Sequence, residues 1–369
     1  MRYNWQHKEW PNFTYSTEEV EAQLYEFSEK AGKVNGLMEG LPEESRVDSI
    51  IELLMTEAIK TSEIEGEYLS RKDVMSSIKK NLGMLPETEK KVLDKRAEGI
   101  AELMTDVQKS YKEPLSIEKI LSWHQMLMKG NDSMQGGKWR AHSEPMQVIS
   151  GAMGREIVHF EAPPSSRVSK EMDQFVTWFY HTGKEGVNKI NKPVIRAAIA
   201  HLYFETIHPF EDGNGRIGRA IAEKALSQTL KRPVLLSLSH AIENKKKDYY
   251  AALKIAQRSM EITPWIIYFV KTTLEAQISA EKIIEFSLIK TRFLDRHRNI
   301  LNNRQMKVIL RMLKEGPEGF EGGINARKYV SISKTSKATA TRDLRDLLGK
   351  KVISRQGQGR STSYILNLH

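Results

Sequence analysis

Twelve residues interrupt two apolar runs of helical spacing, one from Pro193 to Ile207 and one continuing to Leu230, and no unbroken helix can contain them: His208-Pro209-Phe210-Glu211-Asp212-Gly213-Asn214-Gly215-Arg216-Ile217-Gly218-Arg219. Proline disfavours helical geometry in the residue before it, so the first helix must end there. Gly213-Asn214-Gly215 permits a tight turn that points several main-chain N–H groups into one concavity. The helix that follows brings its positive end to the same place, which makes an anion nest suited to a pyrophosphate.

The side chains of the string supply what nucleotide transfer needs. Asp212 offers a hard oxygen ligand for Mg²⁺. Arg216 and Arg219, three apart on one helix face, can reach the same phosphates. His208, with an ordinary pKa of ~6.5, can take a proton from an attacking hydroxyl at neutral pH. Phe210 points the other way, into the core. Singly, each has a plainer use: a histidine before proline packs or caps, Gly-Asn-Gly turns the chain, and paired arginines form a solvated face. Their joint occurrence over twelve positions favours the chemical use.

The rest of the chain sets bounds. Its 369 residues, 40% of them hydrophobic, suffice for two or three domains. With no cysteine, disulfides, thiolate metal sites and cysteine nucleophiles are excluded. HExxH and GxxxxGK(S/T) are both absent, which argues against a zinc hydrolase or a P-loop ATPase. No apolar run is long enough to span a bilayer and MRYNWQHKEW lacks the apolar stretch of a signal peptide, so the expected location is cytoplasmic, with no membrane partner. The formal charge is +10, and from residue 303 onward fourteen basic residues face five acidic ones, so nearly all the excess lies in the tail.

Helices are expected after Ser16-Thr17-Glu18-Glu19, from about Pro42 to a stop at Gly66, over Thr88 to Lys109, and after Pro114 through Trp123 and His124. QVISGAMGREIVHFEAPP pairs two β-prone runs around Gly151 to Gly154, the pattern of a hairpin. Helices then resume over SSRVSKEMDQFVTWFYH, the two runs flanking the twelve residues, DYYAALKIAQRSM, and a long stretch after Pro264 to about Asn299. The tail reads as RQMKVILRMLKEG, NARKYVSIS and Ser336 to Leu347 in helices, followed by Val352-Ile353-Ser354 and Ser363-Tyr364-Ile365-Leu366 as a small β-wing. The fold class expected is mainly α. Its segments are an N-terminal helical region over 1–112, a core over 113–300 and a tail domain over 301–369.

The twelve residues resemble the signature of the Fic family, HPFx(D/E)GNGRxxR, and meet every fixed position of it. The resemblance extends over roughly Leu115 to Glu275, and more loosely to the aromatic N-terminal segment. It implies a Fic-type helical core with a β-hairpin flap, Mg²⁺ as cofactor, ATP as co-substrate, and a target protein whose Ser, Thr or Tyr hydroxyl receives AMP. In this likeness His208 is the general base and Asp212 the Mg²⁺ ligand. Gly213, Asn214, Gly215, Arg216 and Gly218 belong to the nucleotide-binding string, and Arg219 holds the γ-phosphate. Val158, His159, Phe160 and Glu161 resemble the flap whose edge aligns an extended target segment. Tyr249, Tyr250, Leu253 and Gln257 resemble the adenine-pocket helix, although periodicity alone assigns them to the core.

Thr61-Ser62-Glu63-Ile64-Glu65-Gly66 resembles the family's inhibitory pattern (S/T)xxxE(G/N), on a helix over about 43–66. The likeness implies that Glu65 pairs with Arg219, takes the seat of the γ-phosphate and holds the enzyme off. The tail resembles a winged helix-turn-helix, which implies DNA as a partner, with Ser336, Lys337, Thr339, Arg342 and Arg360 as candidate contacts. Winged helices also bind proteins, and self-association into a homodimer is compatible with the sequence. Three rival functions stand beside AMP transfer: a nucleotide-sensing transcription regulator, a Fic enzyme with another nucleotide donor, and net removal of AMP.

Overall fold

The computed structural model of the chain describes residues 2–84, 94–131, 134–150, 157–316 and 319–368. It is mainly helical, and its two compact units are each discontinuous in sequence: 1–33 with 50–280, and 34–49 with 281–369.

Following a short 3₁₀ turn at Glu18–Val20, the chain forms α1 (Glu21–Glu39), α2 (Glu43–Ile64), α3 (Arg71–Asn81) and α4 (Lys95–Lys109). The expected stretch from Thr88 therefore starts seven residues later, after 88–93, which lie outside the described residues. Asp94 accepts from Arg96 N–H and opens α4 as its N-cap. Ser70 caps α3, and Ser116 caps α5 (Ile117–Leu127). The hairpin forms from β1 (Gln147–Ser150) and β2 (Ile157–Glu161), antiparallel, with a register shift between Val148 and Ile149. Its expected turn at Gly151 to Gly154 lies outside the described residues.

Next come α6 (Val168–His181), α7 (Pro193–Ile207), α8 (Asn214–Leu230), α9 (Leu238–Asn244), α10 (Lys246–Ala256) and the 35-residue α11 (Thr263–His297). Pro193 sits in the first turn of α7, where its missing N–H costs nothing. Every residue from Val194 to Ile207 is buried, so α7 is surrounded on all sides and acts as the post of its unit. Full burial of a side chain such as Phe204 is worth roughly 2–3 kcal/mol. Polar locks add direction: Arg196 donates to the Phe179, Ala225 and Gln228 oxygens of α6 and α8, and Trp265 Nε1 donates to the Ala198 carbonyl at 2.8 Å.

The other unit has its own core. There α12 (Asn303–Leu313), α13 (Ala326–Ser333) and α14 (Lys337–Gly349) pack Val308, Ile309, Tyr329, Leu344 and Leu347 together, with Val352 and Ile353 beneath the antiparallel pair β3 (Ile353–Gln356) and β4 (Ser363–Leu366). Asp343 is buried but answered, accepting from Tyr329 Oη at 2.9 Å and from Arg304 Nε at 3.1 Å.

Candidate functional site

The α7–α8 junction is a main-chain device. His208 ends α7 in the left-handed region, φ 50°, an unusual conformation for a side chain other than glycine or asparagine. Arg140 holds it there: Nε donates to the His208 carbonyl at 2.8 Å, Nη1 to Ser165 Oγ, Nη2 to the Pro163 and Ile207 carbonyls, and the Arg140 N–H to the Pro209 carbonyl. The guanidinium is buried, which draws its pKa down to about 10 and leaves it charged at neutral pH.

The turn is closed from within. Asn214 Oδ1 accepts from the Phe210 N–H at 2.9 Å and its Nδ2 donates to the Phe210 carbonyl at 2.8 Å, so the Asn214 side chain holds the loop and only its main chain faces a phosphate position. Phe210 is fully buried as expected and stacks on His124 with ring centroids 3.8 Å apart. Burial draws His124 down to about 4, so the ring is neutral. Because its Nδ1 accepts the Gly137 N–H, its Nε2 carries the proton and donates to the Asp212 carbonyl at 3.2 Å.

Gly213 adopts φ 85° before α8 begins at Asn214. One expectation changes here: the Gly213 N–H is taken by Asp212 Oδ1 at 2.6 Å, so it does not join the nest. The first-turn N–H groups of Asn214, Gly215 and Arg216 have no acceptor inside the helix, by helix geometry, and are the donors for an anion.

These residues border a cavity of about 700 Å³. From the twelve-residue string His208, Asp212, Gly213, Asn214 and Gly215 line it, and from α10 Tyr249, Tyr250, Leu253 and Gln257 do so. His159, Phe160, Glu65 and Gly66 complete the expected set, while Arg216, Gly218, Arg219, Thr61, Val158 and Glu161 lie off its wall. Arg219 is buried behind Glu65. Its Nη2 donates to Glu65 Oε1 at 2.7 Å and to the Thr61 carbonyl at 2.9 Å, and its Nε donates to Thr61 Oγ1 at 2.8 Å. Gly215 makes the contact possible, since a Cβ there would occupy the position of the Glu65 carboxylate.

Arg216 and Arg219 do not converge on one point. Arg216 donates to Glu67 Oε2 at 2.6 Å and to Asp212 Oδ2 at 3.2 Å. Gly218 is likewise not a phosphate contact: a Cβ there would meet Glu205 Oε1 and the His201 ring, so this glycine makes room for α7. On the hairpin, Phe160 is buried with its ring edge-on to Tyr3 at 5.1 Å, and the His159 and Glu161 carbonyls of β2 already accept from Arg258 and Trp5. The flap edge is thus partly used by the protein itself. On α10, Gln257 Nε2 donates to the Glu205 carbonyl at 3.2 Å, which turns the amide nitrogen away from an incoming base, and the Tyr249 hydroxyl bonds His201 Nε2 at 2.9 Å.

Burial, with the Arg140 charge next, pushes His208 down to about 4, against the smaller opposing pull of the Glu205 main-chain carbonyl and of the Glu65 and Asp212 carboxylates. The imidazole is neutral at pH 7 and able to accept a proton. Asp212 is half exposed at the cavity rim, and among the described residues no group of three His, Asp or Glu side chains is placed to hold a metal ion. A single carboxylate suits Mg²⁺, which takes one or two carboxylates and completes its shell with phosphates and water.

Sequence reasoning missed Arg140, Glu67 and Glu205. Arg140 and Glu67 act across loops that no periodicity describes. Glu205 carries a visible signal, the one carboxylate in a mainly apolar run, one turn before His208.

In the tail unit Lys337 and Arg342 are exposed on α14, whereas Ser336 Oγ caps that helix, accepting from the Thr339 N–H and bonding its Oγ1, so these two hydroxyls serve the helix start. Arg360 lies between β3 and β4, with its side chain outside the described residues.

Comparison with known proteins gives two family matches along the chain. The family described as Fic/DOC family matches residues 114–226, and a domain of unknown function (DUF4172) matches residues 3–84. Protein adenylyltransferase fic-1 of Caenorhabditis briggsae is 27% identical over 157 residues, 42% of this chain and 27% of that protein. Protein adenylyltransferase Fic of Nematostella vectensis is 27% identical over 192 residues, 51% of this chain and 39% of that protein. The matches thus span between a quarter and two fifths of those relatives. A Fic family protein from Desulfovibrio desulfuricans G20 superposes with a TM-score of 0.58 over 97% of this chain and 98% of that one, at 21% identity, a likeness of fold.

Proposed function

Residues 114–226 are a Fic/DOC domain, and on that premise we propose that the chain is a protein adenylyltransferase, transferring AMP from Mg-ATP to a Ser, Thr or Tyr hydroxyl of a target protein and held off by Glu65. The observation that carries this is a neutral His208 on the cavity wall beside the open first turn of α8. The hydroxyl oxygen bonds to the α-phosphorus, the bond to the bridging oxygen of pyrophosphate breaks, and the proton goes to His208. First-turn N–H groups of Asn214, Gly215 and Arg216 bind the phosphate oxygens and stabilise the charge that grows on them. Asp212 would hold Mg²⁺, which would offset phosphate charge when bound.

Glu65 opposes this by sitting on Arg219, the cation meant for the γ-phosphate; its carboxylate both occupies that seat and repels the anion. The test uses α-labelled ATP, Mg²⁺ and a cell lysate. Label on protein is expected with Glu65→Gly, weaker or absent label with the unaltered chain, and none with Glu65→Gly/His208→Ala, which should still bind ATP. Label retained in the double variant would exclude His208 as the base.

A second activity is favoured by one observation, the concentration of positive charge from residue 303 onward, a stretch of three helices and a two-stranded sheet whose α14 exposes Lys337 and Arg342. This unit is read as a winged helix-turn-helix that binds DNA, testable by gel shift on genomic fragments.

A further inference from the structure

Glu205 has no part in the steps above, yet the fold is built around it. It is 4% exposed, borders the cavity, and its Oε1 has no hydrogen-bond partner. Its Oε2 stands 3.9 Å from His208 Nδ1, which is buried without a hydrogen bond of good geometry, and the Glu205 main-chain carbonyl is the second neighbour that favours a proton on the imidazole. With Nδ1 turned inward, Nε2 is the nitrogen left to the cavity, and an imidazole that accepts at Nε2 must carry its proton on Nδ1. On the opposite side Gly218 has no Cβ, leaving the volume that the Glu205 carboxyl fills. A gap of this length between a base and its orienting acceptor is common before substrate binds and closes with a small side-chain shift.

We propose that Glu205 is the positioning residue of His208, fixing the imidazole with its proton on Nδ1 and offsetting the positive charge formed when Nε2 takes the hydroxyl proton. The proposal rests on His208 being the base of AMP transfer. In that step the oxygen–phosphorus bond forms, the phosphorus–pyrophosphate bond breaks with its electron pair leaving on pyrophosphate, and the proton moves from the hydroxyl to Nε2. Glu205 enters and leaves as a carboxylate.

The groups facing Glu205 are His201 and His208 on its own helix, Arg219 from α8, Tyr249 and Tyr250 from α10, and Glu65 beyond α2. Burial raises the carboxyl, Arg219 opposes, and Glu65 adds to the rise, leaving it at about 8. Only the carboxylate offsets an imidazolium, so transfer should rise with pH through this step. Removing Glu65 takes away one negative neighbour and moves the step downward.

Two measurements on the full chain decide it. In ¹⁵N imidazole NMR the His208 resonances are expected to respond twice in the unaltered protein, near pH 4 and near pH 8, and to lose the upper response in Glu205→Gln. Resonances flat around pH 8, or unchanged by the substitution, overturn the pairing. In the Glu65→Gly background the pH profile of AMP transfer should show a rising limb that Glu65→Gly/Glu205→Gln lacks. The double variant should be about tenfold slower above the limb, the equivalent of one pKa unit, with the KM for ATP unchanged. Identical profiles overturn the proposal. A Glu65→Gly parent that transfers nothing at any pH contradicts the function and not the pairing, which the NMR decides alone.

Discussion

Gly218 and His208 show how single residues carry this site. At Gly218 an alanine would gain ~1 kcal/mol of helix propensity but press its Cβ on Glu205 and His201 in a filled core, where overpacking costs roughly 1–3 kcal/mol. Gly218→Ala is therefore expected to lower the melting temperature by a few degrees; a rise would show that the space behind α8 is slack. His208 makes a pH prediction of definite sign. With its pKa drawn down to about 4, it remains an acceptor throughout the neutral range, and in Glu65→Gly/Glu205→Gln, which lacks the Glu205 limb, transfer should fall only as pH drops through about 4 rather than through ~6.5. A midpoint near 6.5 in transfer assays on Glu65→Gly/Glu205→Gln would mean that the imidazole is solvated during turnover. Neither residue's environment is written locally: the twelve-residue string names the chemistry, whereas Arg140 and Glu205, which set the histidine's conformation and surroundings, reach it from a loop and from inside a helix whose other side chains are nearly all apolar.

Among elements, the end of α2 is the most consequential. Its inhibitory pattern is legible as a motif, but the structure places a second carboxylate there. Gly66 turns the chain at φ 83°, and Glu67 then meets Arg216 at 2.6 Å, so both arginines of the string are engaged by one short segment. Arg216 is 3% exposed in its side chain and Glu67 30%, which makes the pair partly desolvated and worth more than a surface contact. Glu67→Gln is expected to raise AMP transfer severalfold and to add to Glu65→Gly; a variant with the rate of the unaltered chain would reduce Glu67 to packing. Helix periodicity could not foresee this contact because it lies beyond the helix stop. The same limit hid α3, whose Arg71-Lys72-Asp73 start and Lys79-Lys80-Asn81 end leave few apolar positions, and α9, which has only seven residues. A buried apolar helix such as α7 was legible because its burial is written in every turn, and α11 because its helical spacing runs on without a breaker after Pro264.

For the whole molecule, the mainly helical class and the turn joining α7 to α8 follow from sequence, since both depend on periodicity and on proline and glycine. The grouping into 1–33 with 50–280, and 34–49 with 281–369, could not be read, because it depends on which helices pack together along α1, α2 and α11 and leaves no break in composition. The tail unit carries its own prediction. If α14 enters a groove, Lys337→Ala and Arg342→Ala should each weaken DNA binding and lower the salt slope by about 1, as expected for one lost phosphate contact. Gel shifts insensitive to both variants would assign the basic surface elsewhere.

The central claim is that the pocket beside His208 passes AMP to a hydroxyl. Intact-mass spectrometry of the Glu65→Gly protein, with and without a lysate-derived target fraction, after incubation with Mg²⁺ and each of ATP, GTP, UTP and CTP, measures the transferred group directly. A gain of one AMP from ATP, lost in Glu65→Gly/His208→Ala, is the expected result. Unchanged masses with all four nucleotides, or a gain from another nucleotide alone, would contradict it.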